Sequence, residues 1–68
     1  MRNLSGKELA RVLERHGWRL LRTHGSHHIY GKDESIVRFP VPIHGNEPLK
    51  TGLLNHILKM ANLEEKDL

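Results

Sequence analysis

A chain of 68 residues with no cysteine excludes a disulfide-stapled secreted scaffold and any thiolate metal site, and suits one small domain in a reducing compartment. No apolar run approaches the roughly 20 residues of a membrane span and no signal-peptide pattern opens the chain, so a soluble, cytoplasmic protein with no membrane association is expected. The formal charge is +3, but residues 1–62 carry ten Lys/Arg against five Asp/Glu, while residues 63–68 carry three acids and one base; a basic body with an acidic tail suits a polyanion or an acidic protein as partner.

Taken in order, the chain begins with a clear helix signal. Ser5 with Glu8 three residues on matches a capping box, and Leu4 can meet Leu9 as a hydrophobic staple. Leu9, Val12 and Leu13 form an apolar stripe, with Lys7, Arg11 and Glu14 outside it. Arg15 and His16 suit the negative end of the helix dipole and Gly17 supplies a left-handed stop, so the helix should run over about 6–16. Trp18 to His24 then reads as a strand, Gly25-Ser26 as a hairpin turn and His27 to Tyr30 as a second strand. After the polar turn 31–34, Ser35 to Phe39 reads as a third strand ended by Pro40 and Pro42. Trp18 and Phe39 are expected in the core, base stacking being the alternative role.

The segment 41–48 has loop composition. Leu49 to Ala61 reads as the second helix, its broad apolar face made by Leu53, Leu54, Ile57, Leu58 and Ala61. Gly52, a poor helix former in the first turn, serves either close packing or the exposure of backbone N–H groups to an anion. Asn62 is a suitable terminator, and residues 62–68 form an acidic tail that can add one further turn. The expectation is a single α+β domain over residues 1–68, of order α-β-β-β-α, with a three-stranded antiparallel sheet and two helices on one face. That is the layout of double-stranded-RNA-binding domains, though layout alone does not carry function.

Six histidines are many for this length, and four of them (His24, His27, His28 and His44) fall in or beside the sheet. A metal site is not expected: His27 and His28 are neighbours on a strand and point to opposite faces. Catalysis is the sharper reading. Cleaving RNA at its own 2′-hydroxyl needs one proton removed and one delivered to the leaving oxygen, which positioned imidazoles do without a metal or other cofactor. Arg22, Lys32, Arg38 and Lys50 can then hold phosphate and offset charge in the transition state. The bland reading is that these histidines are polar strand and turn residues. An ideal two-residue turn at Gly25-Ser26 would pair His24 with His27 and Arg22 with Ile29, putting His27 on the Trp18/Leu20 side; a glycine bulge at the turn would reverse the face.

Taken together, Gly17-Trp18, the run from Arg22 through Gly25-Ser26-His27-His28 to Tyr30, Val41-Pro42-Ile43-His44-Gly45-Asn46, and Leu49-Lys50-Thr51-Gly52-Leu53-Leu54 with Ile57-Leu58 closely resemble the HicA toxin family. The resemblance runs from the first helix to Leu63. It implies a double-stranded-RNA-binding-like fold and a metal-independent mRNA interferase, an endoribonuclease acting on single-stranded mRNA. It also implies a protein that is monomeric when free and forms a heteromeric complex with a HicB-type antitoxin. The histidine directly after Gly-Ser is the family's essential one, which falls on His27, presented by Gly25 and Ser26. His44 matches the second histidine of the pattern, as a second proton carrier or phosphate contact, and His28 is given no role. Leu54 stands where many members carry a polar residue, expected as a surface difference. Two rival readings remain. One is a non-catalytic RNA-binding module of the same shape. The other is an interaction protein whose open face, with Leu21, Ile36, Arg19 and Arg38 on exposed strand positions, is masked by an acidic partner.

Overall fold

The computed structural model describes residues 3–68. Helix α1 spans Gly6–Arg15 and starts as the capping box requires. The Ser5 hydroxyl accepts the Glu8 N–H at 3.2 Å, and the Glu8 carboxylate accepts the Ser5 N–H at 2.9 Å. It ends where Gly17 turns left-handed at φ +92°, with the Trp18 N–H donating to Leu13 O and the Gly17 N–H to Glu14 O. That Schellman pattern satisfies the last carbonyls and turns the chain into the sheet. Helix α2, Thr51–Met60, ends the same way, with Asn62 at φ +59° in the glycine's place.

Three antiparallel strands lie in the order β1 (Arg19–His24), β2 (His27–Gly31) and β3 (Arg38–Pro42). The third strand therefore does not run from Ser35 to Phe39; it begins at Arg38 and includes both prolines. The reason lies in its edge position. The Ile43 N–H donates to Ser26 O at 2.8 Å, so by alternation the amides of Val41 and Phe39 face β2, while the nitrogens of Pro40 and Pro42 face outward. The prolines forfeit no ladder bond there, and they leave β3 an edge poorly suited to pairing with another strand. Ser35 to Val37 instead belong to the connector. It is held by the Ser35 N–H to Lys32 O, by the Val37 N–H to Ser35 Oγ, and by the Arg38 guanidinium on the carbonyls of Ser35 and Val37. Ile36 sits there almost fully exposed, not on a strand.

Both helices cover one side of the sheet, as expected. The core joins Leu9, Leu13, Leu54 and Ile57 from the helices to Trp18, Tyr30, Phe39 and Val41 from the sheet side. Trp18 and Phe39 pack with ring centroids 4.9 Å apart at 55°; their burial removes base stacking as their role. Leu54 is buried at 1% exposure, a core residue and not a surface difference. Gly6 is required by a close approach, since a Cβ there would strike the Pro42 carbonyl. Gly52 faces open space, which removes close packing as its reason. The acidic tail adds one 3-10 turn, Glu65–Asp67, and Leu63 and Leu68 pack against the core. Among the described residues no helix is long and apolar enough to cross a membrane.

Candidate active site

The Gly25-Ser26 turn is the local device that sets the site. Gly25 lies at φ +62° while Ser26 keeps a negative φ, the sign pattern of a type II′ hairpin turn with glycine first. The pairing that a two-residue turn demands follows: His24 opposite His27, Thr23 opposite His28, Arg22 opposite Ile29. Between Leu20, opposite Tyr30, and Arg22 the register slips by one residue, Leu21. This bulge reverses the parity of β1. Leu20 shares the helix-covered side with Tyr30, whereas Arg22, His24, His27 and Ile29 lie on the open side. The expectation that an unbulged turn would place His27 with Trp18 and Leu20 is thus corrected. A bulge does decide the face, but it lies inside β1 and not at the glycine.

His27 is exposed at the end of the open face. From β3, Arg38 comes opposite Gly31, Pro40 opposite Ile29 and Pro42 opposite His27. Leu21, Arg22, Ile29 and Arg38 line one shallow depression on this face. Two guanidiniums therefore flank an apolar floor, a surface on which a phosphate chain can lie with ribose or base against Leu21 and Ile29. Part of the Arg38 guanidinium is already committed to the Ser35 and Val37 carbonyls, which holds its position.

His44 lies two residues beyond Pro42, at the same end of the sheet as His27. It is exposed, and its carbonyl accepts the Glu47 N–H at 3.0 Å in a tight turn. Lys50 stands at the N-cap of α2 and lines a groove shared with His44 and Pro42. Lys32 is set apart: its ammonium lies 5.0 Å from the centroid of the Trp18 ring, beyond the far end of β2. His28, directly after His27, points to the helix side, half-buried in a groove with Lys7, Arg11 and Tyr30. His24, which the family resemblance leaves without a role, is placed beside His27 by the two-residue turn. It is exposed on the same face. Among the described residues no cluster of three or more His, Asp or Glu side chains is placed to hold a metal ion.

What the arrangement offers is two exposed imidazoles side by side across the hairpin, a third at the same sheet end, and arginines along the face they share. No curated protein matches the chain. The family model described as the HicA toxin of bacterial toxin-antitoxin matches residues 6–63, which includes the hairpin, the His44 turn and both helices. The chain therefore belongs to the HicA toxin family of bacterial toxin–antitoxin systems.

Proposed function

We propose that this toxin is an mRNA interferase that cuts single-stranded RNA by metal-independent attack of a 2′-hydroxyl on the adjacent phosphorus. The step forms the 2′-O–P bond and breaks the P–O5′ bond, leaving a 2′,3′-cyclic phosphate and a 5′-hydroxyl. One proton leaves the 2′-oxygen and one reaches the departing 5′-oxygen. His27 carries one of these transfers as general acid or base. The other falls to a neighbouring imidazole, His44 in the adjoining loop or His24 across the hairpin. Arg22 and Arg38 bind the backbone and offset charge on the phosphorane oxygens, with Lys50 on the flanking phosphate.

The observation that carries this reading is the position of His27: exposed, on the open side, beside a second imidazole and on the face that bears Arg22 and Arg38. The same face suits a HicB-type antitoxin in the cytoplasm, because a partner laid over Leu21, Ile29 and the two arginines covers the site. The non-catalytic RNA-binding module remains the rival and predicts binding without cleavage.

The test is cleavage of a labelled RNA in EDTA. The wild type should cut it, and His27→Ala should be slower by roughly 10²–10⁴-fold with an unchanged unfolding midpoint. Equal rates in the two proteins would overturn the proposal. Whichever of His24→Ala and His44→Ala loses one limb of the pH–rate profile identifies the second proton carrier.

A further inference from the structure

Next to the hairpin lies a groove of about 300 Å³ between the end of β3 and the start of α2. Pro42, Pro48, Leu49 and Leu53 form its apolar walls, and its polar groups are Glu47, Lys50 and the ring-bearing His44. The volume suits a single nucleotide. Pro42 is the cross-strand partner of His27, so this wall lies one strand spacing, about 4.8 Å, from the backbone of the proposed catalytic residue. An RNA strand crossing the open face toward α2 brings a nucleotide next to the scissile phosphate into this groove.

Resting on the endoribonuclease reading, we propose that the groove is a base-binding subsite for one unpaired nucleotide and that Glu47 selects guanine. The apolar walls take the face of a base, whose stacking on a side-chain platform is tolerant of identity. Identity is read at the edge. Glu47 is exposed, and its carboxylate makes no hydrogen bond or ion pair among the described residues. Its backbone is pinned by the turn from His44, with Gly45 at φ +58°. A carboxylate accepts only, through two adjacent oxygens. Guanine alone presents two donors side by side, N1–H and the exocyclic amine, which match those oxygens. Adenine and cytosine set an acceptor nitrogen beside their single amine, and uracil flanks one N–H with two carbonyls, so each aims a lone pair at the carboxylate. Lys50, on the same groove, neutralises the phosphate that the nucleotide carries.

Two measurements on the full chain decide this. Guanosine 5′-monophosphate and uridine 5′-monophosphate are titrated separately, with amide chemical shifts as the readout. The guanine nucleotide should bind about tenfold more tightly, with shifts centred on Glu47 and Leu49 to Leu53, and Glu47→Gln should erase the difference. Equal dissociation constants, or shifts confined to other residues, would overturn the subsite. In the second arm, RNAs carrying a single G or U beside the cleaved bond are digested by wild type and Glu47→Gln. Cleavage without base preference, unchanged by the substitution, sinks the subsite and leaves the ribonuclease standing. No cleavage of any RNA sinks the ribonuclease, and the nucleotide titration then decides the groove by itself.

Discussion

On a strand, the face a side chain occupies is settled by parity, so one extra residue upstream changes what every residue before it shares a face with. Leu21 is that residue here. Carried as a bulge, it separates Leu20, on the helix side opposite Tyr30, from Arg22 and His24 on the open side. Gly31 makes room for it, since a Cβ there would meet Leu21 Cδ1 and the Arg38 side chain. Both obstacles are flexible side chains. Gly31→Ala should therefore cost little stability, under about 1 kcal/mol, yet displace Leu21 and Arg38 and weaken RNA binding. Gly6→Ala meets the Pro42 backbone carbonyl, which has no such freedom, and overpacking against fixed backbone should cost about 1–3 kcal/mol or more. Urea denaturation of the two variants checks the contrast; equal losses of stability would mean that the Pro42 carbonyl yields as easily as a side chain.

Between elements, the link most open to measurement ties α1 to β2. The buried Tyr30 hydroxyl donates to Glu14 Oε2 at 2.9 Å, and burial, the hydrogen bond and the carboxylate charge push the phenol up to about 12. In the unfolded chain the phenol ionises near 10. The link's contribution to stability is thus intact below pH 10 and is lost as pH rises from 10 toward 12, because only the unfolded state releases the proton in that window. Tyr30 is the only tyrosine, so near-ultraviolet absorbance of the phenolate follows it alone. Tyr30→Phe should flatten the fall in stability over that window, and an unchanged slope would place its origin elsewhere. The helices themselves were legible in the sequence because their signals are local: a capping box, apolar spacing and left-handed stops at Gly17 and Asn62. The bounds of the third strand differ from expectation because a proline argues against a strand unless its nitrogen faces outward, and only the register of β3 on β2 shows that those of Pro40 and Pro42 do. The bulge left no local mark either. Leu20-Leu21 is as compatible with a regular strand as with a slipped one, so the face of His27 waited on tertiary packing. The histidine hairpin and its pairing, by contrast, followed from turn chemistry alone.

Across the whole molecule, charge is divided by face. The acidic tail folds back toward α1, with Asp67 3.9 Å from His16 and Leu68 beside Arg11, Val12 and Arg15. It therefore offsets positive charge on the helix side and leaves Arg22 and Arg38 on the open face. Arg19 is partly neutralised at the sheet edge by Asp33, 2.9 Å away. Lys32 spends its charge over the Trp18 ring, a contact worth about 0.5–2 kcal/mol to the fold. These assignments make a prediction about ionic strength. Each phosphate neutralised on single-stranded RNA contributes about 0.7 to the slope of log affinity against log salt concentration. Arg22→Ala and Arg38→Ala should each flatten that slope by about this amount when measured in the His27→Ala background, where the RNA stays intact. Lys32→Ala should leave the slope unchanged and lower the unfolding midpoint instead. If Lys32→Ala flattens the slope as the arginine variants do, RNA wraps past the end of β2 and the binding face is larger than the open sheet; if neither arginine variant alters it, the phosphate path runs over another surface altogether.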